Sequence, residues 1–459
     1  MTELFAGIFA RGDIGTATDD DAWLRALLDA EAALARAHAR LGTIPPEHAE
    51  EITHSCVPEN IDTAEVSRSA ADSGNPVVPL VGQITRSVGE AAGRHVHLGA
   101  TSQDIMDTAA MLVARRAGTV IRAVADEACE SLATLAVDHR DTVMAGRTLL
   151  QQALPTTFGL AAAGWLDQLA DATNRLAEFL DQRAAAQLGG AAGTLASLGQ
   201  VGPRVTTAFA SELGLAEPRL PWHTARGRVA ELAGALAQVS GAVGKTAGDI
   251  VLLAQTEVGE VREHGGRDRG GSSTLPHKRN PVAAVSAVAC AEQAPDLAGS
   301  LLGVQIQQHQ RAAGQWQAEW LPLTRLLRTT GSAAAWLGTS LERLNVDPER
   351  MRANMLDGFP LAERVTTDLV GELGRLPAHE LVRSACAEAS DQGRDLTDVL
   401  TERLEGRRSR EEVSALLDPT SYLGSAGEFI DRAVEKHHAS GGAEVRHPTH
   451  RSTETRRTG

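Results

Sequence analysis

Three stretches of this chain run for about 30 residues each without a proline while keeping apolar side chains at helical spacing: Ile105 to Asp138, Phe158 to Leu188 and Arg228 to Val261. Helices of that length far exceed the usual globular mean. They are stable only when partnered along their whole length, so the pattern predicts a bundle of long helices. In the third stretch Val229, Leu232, Leu236, Val239, Val243, Ile250 and Leu253 follow a spacing close to a heptad. Apolar stripes on more than one face of such a helix predict packing against another subunit.

Aromatic residues make up only 3%, with Tyr422 the sole tyrosine, and alanine and leucine dominate. Side chains that are small or not branched at Cβ favour closely packed helices over sheets. The expected fold class is therefore all-α. Four segments are expected: an N-terminal helical domain over residues 1–103, a central long-helix bundle over 104–344, a smaller helical domain over 345–435, and a disordered tail over 436–459. Asp19, Asp20 and Asp21 mark the start of the first helix, and Gly42 its end. Pro295 and Pro322 are expected to interrupt the stretch that begins near Val282. The tail lacks any apolar period. Its His437, His438, His447 and His450 fit no defined metal-site spacing, and no metal or organic cofactor is expected.

A formal net charge of −15 with no basic stripe in the main body argues against a nucleic-acid partner. No uncharged apolar run approaches the length of a membrane span. Met1 to Asp13 has no basic region followed by an apolar one, so the expected compartment is the cytoplasm. Cys56, Cys129, Cys290 and Cys386 are scattered through helical patterns and read as reduced core thiols. Gly241 to Thr246 (GAVGKT) suggests a phosphate loop but lies inside a helix, after Val239 where a glycine is required.

The most informative loop is Gly270 to Val282, GGSSTLPHKRNPV. Two serines precede His277, Lys278, Arg279 and Asn280, and Pro276 and Pro281 bound the turn. Cations and an amide gathered this closely suit a substrate carrying several carboxylates. A serine beside them gains the electrostatic help that a hydroxyl needs to act as a base.

GSSTLPHKRNP resembles the GSSxMPxKxNP signature of the fumarase/aspartase superfamily, with Leu275 in place of the usual methionine. The resemblance implies that Ser272 is the base that removes a proton beside a carboxylate. It implies that Ser273, Lys278 and Asn280 hold that carboxylate. His97 to Asp104 (HLGATSQD) resembles a second superfamily segment, in which Thr101, Ser102 and Gln103 would bind substrate. Ser73 and Asn75, in SGNP, resemble a substrate-binding turn. Gly146 to Pro155 (GRTLLQQALP) resembles a third segment and adds Arg147, Thr148 and Gln151. Arg311 either binds a carboxylate or pairs structurally. Trp316 and Trp320 share a helical face and read as core. The resemblance spans residues 15 to 433 and includes EAALARA (Glu31 to Ala37) and PWHTAR (Pro221 to Arg226). It implies the three-part helical fold, a homotetramer and active sites shared between subunits.

The third segment separates the chemistries. Fumarase and the argininosuccinate and adenylosuccinate lyases usually place there a histidine that protonates the leaving group. Here the position is Leu149, which carries no proton. A general acid contributes about 10²- to 10⁴-fold. A leaving hydroxide, whose conjugate acid has a pKa of about 15.7, needs that help. A leaving carboxylate, with a conjugate-acid pKa of about 4, does not. The resemblance therefore points to the cycloisomerase branch: an intramolecular lyase interconverting 3-carboxy-cis,cis-muconate and 4-carboxymuconolactone. A lyase expelling nitrite from nitrosuccinate fits Leu149 equally well. Gly227 and Gln310 depart from the cycloisomerase pattern and keep that alternative open. A non-catalytic, crystallin-like protein is a third reading, against which the intact Ser272, Lys278 and Asn280 stand.

Overall fold

The computed structural model describes residues 3–264, 278–355 and 358–441. These residues are overwhelmingly helical, and the all-α expectation holds. The chain divides into two compact units. The first comprises residues 1–128 and 168–345, the second residues 129–167 and 346–459.

In the first unit, α1 (Asp20–Arg40) starts where the aspartates predict. The Asp19 carboxylate accepts the Ala22 N–H at 2.8 Å, and Asp20 and Asp21 sit in the first turn, where the helix dipole favours negative charge. A short helix, α2 (Val77–Ser87), precedes α3 (Ser102–Asp138), the longest at 37 residues. α4 (Phe158–Gln182) follows, and α3 and α4 each run from one unit into the other. α5 (Gly227–Leu253) buries all seven apolar residues of the near-heptad stripe. It packs on α6 (Val282–Ala291), α7 (Ala294–Gly303) and α8 (Gln315–Leu341), so these successive helices form a bundle, as the pattern predicts.

Several expected boundaries move. The second and third long patterns end at Gln182 and Leu253, short of Leu188 and Val261. Pro295 opens α7 as expected, but Pro322 lies inside α8. Trp316 and Glu319 before it, and Leu323 and Leu326 after it, are all buried, and this packing carries the helix past the missing N–H.

In the second unit the GRTLLQQALP segment is an antiparallel hairpin, β1 (Val143–Thr148) and β2 (Gln151–Thr157). Its two-residue turn is Leu149–Leu150, with φ of 51° and 63°. Asn-Gly is the favoured pair for that geometry, so two leucines conceal the turn. The helices α9 (Ala362–Leu373), α10 (Arg375–Gln392) and α11 (Leu396–Arg403) build a separate core around Val365, Leu369, Val382 and Val399. The last helix, α12, spans Ala426–Gly441 and continues past Lys436, where the tail was expected to begin. Lys436 and His437 hold it by pairing with Asp167 and Glu130, each at 2.9 Å. Among the described residues no helix is long and apolar enough to cross a membrane.

Candidate active site

The start of α3 organises the clearest polar site of the first unit. Asp104 is fully buried and accepts four hydrogen bonds. Its carboxylate takes the N–H groups of Thr101 at 2.9 Å, Gly189 at 3.0 Å and Gly190 at 2.9 Å, and His223 Nε2 at 2.6 Å. One side chain thus joins the turn before α3, the Gly189–Gly190 turn and the PWHTAR segment. A Cβ on Gly189 would stand 2.7 Å from the His223 ring, so only glycine lets that backbone approach the carboxylate.

One helical turn along, Asp107 anchors a second buried network. Arg226 places Nη1 and Nη2 on its two oxygens at 2.7 and 3.0 Å. Arg226 also donates Nε to Glu319 at 3.0 Å. Trp316 donates its indole N–H to Asp107 at 3.1 Å and meets Trp320 edge-on; Trp316 is buried in the core, as expected, while Trp320 is half-buried. Burial by itself would lower the Arg226 guanidinium, but Asp107 and Glu319 outweigh it and raise it above the ordinary arginine value.

Arg311 is built differently. It donates Nη1 to Gln103 Oε1 at 2.9 Å, and Nη2 to the carbonyls of Gly190 at 2.6 Å and Ala191 at 3.2 Å. All three acceptors are neutral, and among the described residues no carboxylate pairs with this guanidinium. Burial lowers its pKa from the ordinary arginine value. Asp104 and Asp107 act on it by charge, but neither forms a direct ion pair with it, so the guanidinium is a cation held in place with no carboxylate in contact, which suits it to bind an anion.

Gln103 is buried and fully employed. Its Nε2 donates to the His223 carbonyl at 2.8 Å and to Asp107 at 3.2 Å, while Oε1 faces Arg311. The partly buried hydroxyls of Thr101 and Ser102 make no hydrogen bond among the described residues.

The other predicted residues fall in three places. Ser73 and Asn75 build their own turn. Ser73 Oγ donates to the carbonyls of Ser69 at 3.1 Å and Asn75 at 2.8 Å. Asn75 Oδ1 accepts the Val77 N–H at 3.0 Å at the start of α2. Lys278 and Asn280 line a cleft with Arg262, Arg279, Gln255 and Thr256. Ser272 and Ser273 lie outside the described residues. Arg147, Thr148 and Gln151 belong to the hairpin of the second unit, whose tip residue Leu149 is 97% exposed.

Asp107, Arg226, Glu319 and the Gly189–Gly190 turn were not foreseen as parts of this site. Their signal was weak but present. Asp104 and Asp107 are two acids at i and i+3 on the opening turns of α3, just before its apolar run over residues 109–114, and such charges are buried only when paired.

Comparison with known proteins agrees with this architecture. The family model described as "Lyase" matches residues 11–294, and that described as "Adenylosuccinate lyase C-terminus" matches residues 358–433. A 3-carboxy-cis,cis-muconate cycloisomerase of Bradyrhizobium diazoefficiens is 43% identical over 442 residues, covering 95% of this chain and 98% of the relative. A nitrosuccinate lyase of Streptomyces davaonensis is 44% identical over 446 residues, covering 94% of each. The crystal structure of the 3-carboxy-cis,cis-muconate lactonizing enzyme from Pseudomonas putida superposes with a TM-score of 0.90 at 39% identity, covering 95% of this chain and 99% of that one. From the helical bundle, the sequence segments and these matches together, the chain is a lyase-family member of the fumarase/aspartase superfamily.

Proposed function

We propose that the protein is a cycloisomerase that interconverts 3-carboxy-cis,cis-muconate and 4-carboxymuconolactone. The observation that carries this reading is Leu149: an apolar side chain at the tip of an exposed hairpin, where a proton-donating histidine would serve a strongly basic leaving group. In the lactone-forming direction a carboxylate of the substrate adds to the alkene carbon, and its electron pair becomes the new C–O bond. The alkene electrons move to the neighbouring carbon, which bears another carboxylate, and that carbon takes a proton from Ser272. In reverse, Ser272 removes that proton and the ring carboxylate leaves as an anion. The charge that develops on the retained carboxylate is met by cations and amide donors, the roles of Lys278, Asn280 and Ser273. Arg311, with its charge unpaired, takes a further carboxylate. The hydroxyls of Thr101 and Ser102 complete that part of the site. Arg147, Thr148 and Gln151, on the hairpin, contact substrate in a homotetramer whose active sites are shared between subunits. The cytoplasm is the proposed compartment.

Nitrosuccinate elimination is the second reading, favoured by the 44% identical Streptomyces relative and equally free of a need for an acid at position 149. Purified protein offered 3-carboxy-cis,cis-muconate and, separately, nitrosuccinate distinguishes the two. Loss of the muconate absorbance without nitrite release from nitrosuccinate supports the cycloisomerase. Nitrite release with an unchanged muconate spectrum replaces it with the lyase.

A further inference from the structure

The EAALARA helix supplies a group that the reaction above leaves unused. Glu31, on α1, is 1% exposed, yet only one of its carboxylate oxygens has a partner. That partner is His97, whose Nδ1 lies 2.6 Å from Glu31 Oε1. Oε2 is buried without a hydrogen bond. A buried, half-satisfied carboxylate is costly to keep and is retained where it serves another group.

His97 has the complementary features. Its backbone φ of 60° lies in the left-handed region, which strains any residue with a Cβ. Its side chain is 18% exposed, and Nε2 has no partner among the described residues. With Nδ1 donating to Glu31, the other ring nitrogen is presented outward in a fixed orientation.

The neighbourhood is the one that holds Arg311. The Gly99 carbonyl, two residues after His97, lies 3.0 Å from the place a Cβ on Gly190 would occupy, so the two turns touch through backbone. Asp104 holds both turns, through the N–H groups of Thr101 and Gly190. Arg311 donates to the Gly190 carbonyl. The same junction therefore anchors a guanidinium in contact only with neutral acceptors and an imidazole whose Nε2 has no partner among the described residues.

We propose that Glu31 and His97 form a proton-holding pair. Glu31 is a positioning residue that keeps the His97 ring oriented and doubly protonated. His97 Nε2–H donates to a carboxylate of the substrate next to the one that Arg311 takes. This rests on the reading of the substrate as a polycarboxylate. The charged groups with the largest effect on the imidazole are two acids, Glu31 on α1 and Asp104 on α3, with the Arg311 guanidinium at the same junction. Burial opposes the charge, but Glu31, by charge and hydrogen bond, and then Asp104 outweigh it, so the pKa of His97 is raised. The imidazolium persists above the pH at which a free histidine loses its proton.

The test uses propane-1,2,3-tricarboxylate, a tricarboxylate with no alkene to react, and measures its binding to the full-length enzyme by calorimetry across pH. Wild type should bind it and lose affinity as pH rises through the His97 pKa. Glu31→Gln should move that loss to lower pH and weaken binding about tenfold at neutral pH, or about 1.4 kcal/mol. His97→Asn should weaken binding about tenfold or more at low pH and remove the histidine-dependent step. Nitrogen-15 spectra of labelled wild type report the protonation of both His97 nitrogens directly, which serves should either variant fail to fold. The proposal is overturned if those spectra show His97 losing its proton at or below the pH at which a free histidine does. It is also overturned by a pH profile that Glu31→Gln leaves in place, by wild-type affinity in His97→Asn, or by no binding of the tricarboxylate to wild type. Failure to form lactone alongside intact, pH-linked binding would count against the proposed reaction and not against the pair.

Discussion

Arg226 and Asp107 form a two-pronged ion pair in the core, Nη1 to Oδ2 at 2.7 Å and Nη2 to Oδ1 at 3.0 Å, with both side chains at most 3% exposed. Arg311 comes from the same unit and donates only to neutral groups. The first arginine holds the fold, and the second has charge left over for a ligand. Replacing Arg226 by methionine strands Asp107 and Glu319 as buried, unpaired charges. The expected cost is about 3–5 kcal/mol, read as a lower urea midpoint. A loss of about 1 kcal/mol or less would mean that the pair is not structural.

Arg311→Met should behave in the opposite way. Stability should change by about 1 kcal/mol or less, the size of an ordinary hydrogen bond. The KM for 3-carboxy-cis,cis-muconate should rise about 10- to 100-fold, the worth of one charge-assisted contact. Arg311→Lys should recover part of the loss, since it restores charge without the fork. An unchanged KM in Arg311→Met would remove Arg311 from the substrate site.

Leu149 has a φ of 51° and its side chain is in solvent. Asparagine tolerates that conformation better, so Leu149→Asn should raise stability by about 0.5–1 kcal/mol, part of the left-handed penalty. Leu149→His should leave kcat within about threefold, because an anionic carboxylate gains little from the 10²- to 10⁴-fold help a general acid can give. A rate increase of 100-fold in Leu149→His would show that proton donation to the leaving group limits the reaction.

His38 is buried, with Nδ1 at 2.8 Å from Thr43 Oγ1 and Nε2 at 3.0 Å from the Leu98 carbonyl. Burial lowers its pKa below 6.5. Stability tied to the neutral ring is therefore present above about pH 6.5 and is lost as pH falls through the folded value. The stability gap between wild type and His38→Gln should narrow on acidification from about pH 7.5 to about pH 5. A gap that stays constant would mean that His38 does not titrate with folding. His97, raised, has the opposite sign: its contribution is full at low pH and fades as pH rises through its folded value.

How much was legible beforehand follows from what kind of signal each part leaves. The long helices read directly, because Val229 to Leu253 repeat a period that packing then buries. Asp19 read as a cap because capping is local. The hairpin did not read, because Leu149 and Leu150 occupy a turn geometry that leucine disfavours, so no turn signal is present. Pro322 read as a break because propensity is local, while the burial of Leu323 and Leu326 that overrides it is not. At the site, Gln103 and Arg311 read as candidates separately. Their contact bridges 208 positions and depends on a fold no single segment encodes. Asp104 is legible only as the last residue of the HLGATSQD segment; its bonds to Gly189, Gly190 and His223 come from segments brought in by tertiary structure.

The central claim is lactone formation with one proton delivered beside a carboxylate by Ser272. The most direct measurement is incubation of 3-carboxy-cis,cis-muconate with the enzyme in D2O, followed by proton and deuterium NMR of the product. The account predicts 4-carboxymuconolactone with a single deuterium, in one configuration, on the side-chain carbon next to the carboxylate, and none formed by Ser272→Ala. Unchanged muconate with the wild-type enzyme, or lactone produced equally well by Ser272→Ala, would contradict it.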